Sequence, residues 1–209
     1  MVGGDRRRVE LAYSLLFTLP GTPVLFYGEE IGMGENLAVE GRQAVRTPMQ
    51  WTPEAGAGFS TAEPEAFPNP LAEGEFGPQK VNVYEQSRDP GSLLSRIRLF
   101  TERYREAPEL AWGDYELVET GEPAVLAHLG CTTDGRVLAV HNFAGRQVTV
   151  RLRLPEVGPG ARLTDLLDDG HDGLTVGDDG LLRVELPAYG YRWLRVGTPA
   201  DDPERVASD

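Results

Sequence analysis

The residues best suited to chemistry gather in two short stretches. The first is the turn Gly28-Glu29-Glu30-Ile31-Gly32-Met33-Gly34-Glu35-Asn36, directly behind the apolar run Val24-Leu25-Phe26-Tyr27. In parallel α/β proteins, functional groups collect where strands reach their C-terminal ends. Adjacent carboxylates alternate in direction, so at most one of Glu29 and Glu30 points into a site. A solvated acidic turn, with glycines that allow a tight bend, is the plain alternative. The second stretch runs from Glu40 to Trp51 and carries Arg42 and Arg46 four residues apart around small neighbours. Guanidinium groups are planar forks that suit paired hydroxyls or carboxylates. Two surface arginines in a loop is the competing reading. Trp51 could stack on a sugar face or anchor the packing of its own loop.

Other constellations carry less. Asp168-Asp169-Gly170-His171-Asp172-Gly173, continuing to Asp179, matches part of a calcium-loop pattern. Gly170 stands where a ligand is needed and the flanks read as strands, so a hairpin loop fits better and no metal is expected. His128, His141 and His171 share no local spacing with one another or with a cysteine, which argues against zinc. His128 and His141 fall in strand patterns and read as hydrogen-bonded sandwich residues. Cys131 is the single cysteine, so no intrachain disulfide forms; the sequence shows no nucleophile elbow, phosphate loop or dinucleotide fingerprint. No cofactor is expected.

Charge narrows the partners. The 209 residues hold 20 Lys and Arg against 33 Asp and Glu, a net charge of −13. That balance argues against nucleic acid as a partner, because phosphate binding needs a clustered positive surface. No apolar run is long enough to span a membrane, and Leu11–Leu19, interrupted by Tyr13, Ser14 and Thr18, suits a buried helix better than a signal peptide. A reducing cytoplasm is the expected compartment.

The elements that must position these groups change character near residue 110. Asp5 caps a helix over 5–18 that opens on Arg6-Arg7-Arg8, three cations badly placed at a helix N-terminus unless something neutralises them. Pro20-Gly21 stops it. Val24–Tyr27 reads as a short parallel strand buried on both faces. From Gly28 to Arg88 there is much Pro and Gly and little periodicity, the mark of a long functional loop. Asp89-Pro90 opens a second helix, with Asp as cap, that ends before Pro108. Seven β-type runs follow, 115–120, 124–129, 137–143, 147–154, 162–167, 181–186 and 191–196, spaced as in an antiparallel sandwich. The division is 1–108, 109–197 and a loose acidic tail, 198–209.

Three stretches together carry a resemblance. Leu19-Pro20-Gly21-Thr22-Pro23-Val24-Leu25-Phe26-Tyr27-Gly28-Glu29-Glu30-Ile31-Gly32-Met33-Gly34-Glu35-Asn36, Val45-Arg46-Thr47-Pro48-Met49-Gln50-Trp51, and Val81-Asn82-Val83 with Arg88-Asp89-Pro90-Gly91-Ser92-Leu93-Leu94 resemble the C-terminal part of glycoside hydrolase family 13, the α-amylase family, on its trehalose synthase and oligo-1,6-glucosidase branch. The likeness runs from about Asp5 to Val196. It implies the end of a (β/α)8 barrel followed by an antiparallel β-sandwich. Residues 5–18 would precede the eighth barrel strand, 22–27 would be that strand, 28–88 its loop and 90–106 the last barrel helix. It also implies that Glu30, Arg42 and Arg46 line a sugar pocket. One departure is Gln43-Ala44, where relatives of that branch commonly have Asp-Gly.

The resemblance further implies an incomplete catalytic apparatus. Retaining glycosidases work with two carboxyl groups, a nucleophile and an acid. In this family these, and a third supporting Asp, come from earlier barrel strands, so no residue here is assigned a catalytic role. A barrel takes about 250 residues, and one strand with its helices cannot close one. The expectation is therefore the C-terminal portion of an enzyme acting on α-glucosidic bonds, by maltose isomerisation or by hydrolysis, and inactive alone. Its partners would be a maltose- or trehalose-type sugar or α-glucan, and the upstream barrel in cis or in trans. The alternative is a non-catalytic β-sandwich that binds carbohydrate or has a structural role.

Overall fold

Asp5 opens the first helix as its position in the sequence predicts: its carboxylate accepts from the Arg7 backbone N–H at 3.0 Å, and α1 runs Arg6–Thr18. The three arginines of the first turn find separate partners. Arg6 pairs with Glu10, Arg7 with Asp5, and the guanidinium groups of Arg7 and Arg8 lie over the Tyr189 ring, 5.4 and 5.5 Å from its centroid. A computed structural model describes residues 4–168 and 173–197. The tail 198–209, His171 and the centre of the Asp168–Asp179 loop lie outside them. Contacts divide the chain into two units, Val24–Leu99, and Met1–Pro23 with Phe100–Asp209. Among the described residues no helix is long and apolar enough to cross a membrane, and no group of three His, Cys, Asp or Glu is placed to hold a metal.

In the unit formed by the two chain ends, the strands are β1 Asp114–Val118, β2 Val125–Cys131, β3 Arg136–Asn142, β4 Val148–Leu152, β5 Arg162–Asp165, β6 Leu174–Thr175, β7 Leu182–Leu186 and β8 Tyr191–Val196. Six of them form an antiparallel sheet in the order β1-β2-β3-β8-β5-β6, and β4 and β7 form a second. Alternation decides which side chain faces which layer. Ala127, Leu129, Leu138, Val140 and Leu194 face the β4–β7 pair, whose Val150, Leu152, Val184 and Leu186 complete one apolar core. The alternate set, His128, Ala139, His141 and Trp193, is equally buried on the other face of the six-stranded sheet.

Helices cover that second face. Helix α3, Leu93–Glu106, contributes its residues from Phe100 onward, and α4 is the short segment Pro108–Trp112. Phe100 stacks on Trp193 with centroids 5.1 Å apart, meets Tyr191 edge-on, and touches Phe17 of α1 at 6.0 Å. A buried polar contact pins α1 to the sheet. The Trp193 indole N–H donates to Ser14 Oγ at 2.8 Å, and Ser14 Oγ lies 2.9 Å from His141 Nε2 in a bond whose direction follows the histidine tautomer. The Thr18 hydroxyl donates to the Ser14 carbonyl at 2.9 Å.

Val24–Tyr27 belongs to no ladder among the described residues, and Val24 is 76% exposed, as a barrel strand without its neighbours must be. The structure revises three sequence readings. The cap of α3 is Ser92 rather than Asp89: Ser92 Oγ accepts from the Ser95 N–H at 3.1 Å, whereas Asp89 accepts from Gly91 N–H in the preceding turn. Pro108 ends α3 and also opens α4, where a proline at the first position costs no hydrogen bond. His128 is fully buried beside His141, rings nearly parallel with centroids 5.9 Å apart, yet neither of its ring nitrogens has a hydrogen-bond partner among the described residues.

Burial holds both imidazoles neutral. It lowers the pKa of His128 to about 4; for His141, burial and then the neighbouring His128 lower it to about 3. The unfolded chain binds these protons near pH 6.5, so the unfolded state holds more protons throughout the window below that value. Stability is therefore full above about pH 6.5 and falls as the pH drops through 6 and 5 toward 4. Thermal melts between pH 7 and pH 4 should show Tm descending, and His128→Phe should flatten that descent; an equal slope in the variant would contradict the assignment. Separately, Ser14→Ala strands the Trp193 N–H and should cost about 1–3 kcal/mol in urea denaturation.

Candidate functional site

The unit 24–99 carries all three sequence-predicted binding residues. Gly28 leaves the extended segment with φ +88°, a left-handed turn that favours glycine, and a Cβ there would stand 2.6 Å from Met33 Sδ. The chain then makes the 3-10 turn Glu29–Ile31. The two adjacent carboxylates separate as the sequence suggests. Glu29 turns back to accept from the Phe26 backbone N–H at 3.0 Å, an amide left without a strand partner, while Glu30 is half-buried and bonded to no described residue.

Arg42 and Arg46 sit on a second 3-10 turn, Gly41–Val45, with Arg46 as its C-terminal cap residue. Both side chains are exposed, and neither makes an ion pair or hydrogen bond with a described residue. The turn places the two guanidinium groups on one short segment. No ion pair joins either of them to Glu30. Trp51 is half-exposed; its backbone N–H donates to the Ala57 carbonyl, and its carbonyl accepts from the Tyr84 N–H.

What fixes these turns is a set of side-chain amides that motif reading did not single out. The Asn36 backbone N–H donates to the Ala44 carbonyl at 2.9 Å, joining the Glu30 loop to the arginine turn. The Asn36 side chain accepts from the Ala38 N–H and donates to the Leu71 carbonyl. Asn69 donates from one nitrogen to the Arg46 carbonyl at 2.9 Å and to Gln43 Oε1 at 3.2 Å. Gln86, on α2 (Val83–Gln86), donates to the Ile31 carbonyl at 2.7 Å and accepts from the Leu94 N–H of α3 at 3.1 Å. The Tyr27 hydroxyl donates to the Thr47 carbonyl at 3.0 Å. Each fastens backbone that no ladder holds, and none of them uses the Glu30, Arg42 or Arg46 side chain. The sequence signal was available in the many Asn and Gln of a Pro/Gly-rich stretch.

One carboxylate and two guanidinium groups, uncommitted to protein partners, offer acceptors and planar donors for hydroxyls. The arrangement holds no pair of carboxyl groups set across a scissile bond.

Residues 1–113 match the model of the alpha amylase catalytic domain, and residues 135–195 match that of the sucrose hydrolase-like C-terminal domain. The chain is 36% identical over 203 residues to a trehalose synthase/amylase of Mycobacterium tuberculosis, covering 95% of this chain and 33% of the relative. It is 43% identical over 146 residues to a trehalose synthase of Thermus thermophilus, covering 69% of this chain and 15% of the relative. The crystal structure of a trehalose-6-phosphate hydrolase from Bacillus licheniformis superposes with a TM-score of 0.70 at 20% identity, over 94% of this chain and 40% of that one. The chain thus spans a third or less of the length of these curated relatives.

Gly28 provides a direct check on the turn that carries Glu30. Gly28→Ala forces a side chain into the left-handed region and against Met33, and should cost at least about 1 kcal/mol in guanidinium denaturation. Unchanged stability would show that the turn is not held in this form. The match over more than half of its length, together with a barrel-end loop and a two-sheet sandwich, makes this chain a member of the α-amylase family, glycoside hydrolase family 13.

Proposed function

We propose that this chain is the C-terminal portion of an enzyme that cleaves and re-forms, or hydrolyses, α-glucosidic bonds, with trehalose synthase-like isomerisation of maltose as its reaction. The observation that carries this reading is the 36% identity to a trehalose synthase/amylase across 95% of the chain. The free Glu30, Arg42 and Arg46 side chains support it, because sugar recognition uses such uncommitted donors and acceptors.

In this reading the boundary between barrel and sandwich lies at 108/109. Val24–Tyr27 is the last barrel strand, and its bare edges await neighbours from an upstream barrel, in cis or in trans. Glu30 accepts hydrogen bonds from glucosyl hydroxyls. Arg42 and Arg46 donate to hydroxyls and keep nearby carboxylates ionised. The nucleophile and the acid of retaining chemistry come from the upstream strands, so the 209 residues alone do not turn over. The reaction needs no cofactor, and the enzyme works in the cytoplasm.

Two measurements test this. The isolated chain should release no glucose or trehalose from maltose, and measurable turnover would refute the need for an upstream barrel. In the full-length enzyme, Arg46→Ala should lower kcat/KM on maltose at least tenfold, about 1.4 kcal/mol of transition-state binding or more; an unchanged value would remove Arg46 from the site.

A further inference from the structure

One end of the sandwich, where β2 and β8 finish and β3 begins, is hollowed into a cleft of about 300 Å³. Its floor is apolar: Val157, Ala161 and Val196 line it and pack against the core between the two sheets. Its rim is polar. Thr133, Asp134 and Arg136 come from the turn between β2 and β3, and Glu156 from the loop after β4. The turn is held from within. The Thr132 N–H donates to the Gly135 carbonyl at 2.9 Å, and Thr132 Oγ1 accepts from the N–H groups of Asp134 at 3.3 Å and Gly135 at 3.1 Å. That bonding leaves the side chains of Thr133 and Asp134 exposed, with no bond to a described residue. Arg136 pairs with Glu156. Glu156 reaches that pair from a left-handed backbone, φ +57°, a conformation in which glycine carries no strain. Its side chain is 76% exposed, and an ion pair so open to water contributes too little to offset the strain. Stability alone therefore gives no reason for a glutamate at this position.

We infer that this cleft binds a small neutral sugar of one or two pyranose rings, with Asp134, Arg136 and Glu156 taking its hydroxyls. It shares no residue with the loop that carries Glu30, Arg42 and Arg46. Size sets the first limit, since the volume stands at the small end of the range for small-molecule sites. Charge sets the second. An anion entering the cleft meets the carboxylates of Asp134 and Glu156, and a cation meets the Arg136 guanidinium, so a neutral ligand is favoured. Chemistry sets the third. A pyranose offers C–H groups to the apolar floor and hydroxyls, which both donate and accept, to the rim. Asp134 and Glu156 accept, Thr133 does both, and the Arg136 guanidinium has N–H donors beyond those its ion pair uses. No aromatic ring lines the cleft, so the sugar gains no stacking and its affinity falls in the millimolar range. The inference does not depend on the reaction proposed above.

An NMR titration of the isotope-labelled 209-residue chain with maltose, and separately with trehalose, tests the site. At least one of the two sugars should move the amide signals of Asp134, Gly135, Val157 and Gly158, with a Kd of about 1–20 mM. Asp134→Ala should weaken that binding at least tenfold. Glu156→Gly should weaken it as much while leaving Tm unchanged or raising it, because the substitution relieves the left-handed strain and removes only an exposed ion pair. The double variant Arg42→Ala/Arg46→Ala should keep the same shifts and the same Kd. A lower Tm in Glu156→Gly would show that the glutamate serves the fold, and would overturn the inference. So would shifts that survive both cleft variants, shifts lost in the arginine variant, or none with either sugar at about 100 mM. Movement of the same amides by inorganic phosphate and not by sugar would assign the cleft to an anion instead. Whether the chain or the full-length enzyme converts maltose bears on the proposed reaction and leaves this reading of the cleft untouched.

Discussion

A sheet that is apolar on both faces needs two covers, and the six-stranded sheet is such a sheet. Leu129, Leu138 and Leu194 point one way, and His128, Ala139, His141 and Trp193 the other; all are fully buried or nearly so. The first set is met by the β4–β7 pair, in the manner of any two-layer sandwich. The second set has no third sheet to meet it. Helices arriving from both sides of the sequence take that place, α1 from before residue 20 and the end of α3 from after residue 100. The two ends of the chain are thereby tied into one unit while the site residues between them form another.

The same constraint explains the polar chemistry buried under α1. A helix lying on a sheet presents a serine to whatever lies beneath, and Ser14 meets the Trp193 indole N–H and His141 Nε2. Fully burying an indole N–H without an acceptor costs about as much as a lost hydrogen bond, so position 14 is set by the tryptophan it serves. His128 has no comparable partner. Its neutral, desolvated ring is a standing cost, met on one side by the Tyr115 ring at 4.7 Å between centroids.

Legibility in the sequence follows the same lines. Long alternating strands were readable because period-two burial leaves a period-two pattern, as in Val148–Leu152 and Leu182–Leu186. β6 was not, since two residues at an edge, Leu174 and Thr175, carry no period. The family motifs located Glu30, Arg42 and Arg46 in the loop, but Asn36, Asn69 and Gln86, which fasten it, left no trace in spacing. Their partners are backbone carbonyls 23 to 55 residues away, and such pairings exist only once the chain has folded. Val24–Tyr27 is legible in another way. Its composition is that of a central strand, and composition reports the environment a segment is suited to, whether or not the neighbours are present.

That mismatch is informative beyond its own four residues. Val24, Phe26 and Tyr27 are large, apolar and exposed, and Phe26 spends its amide on the Glu29 carboxylate instead of on a ladder. In a unit stabilised from within, such a segment would be replaced by polar residues at no loss. Around it, the loop is held in defined turns. Its turns are pinned by amide side chains, its glycines sit where the backbone bends left-handed, and one carboxylate and two guanidinium groups are left uncommitted. A surface built to this standard beside a strand that pairs with nothing is coherent if the strand's partners and the surface's opposing acids belong to the same missing wall.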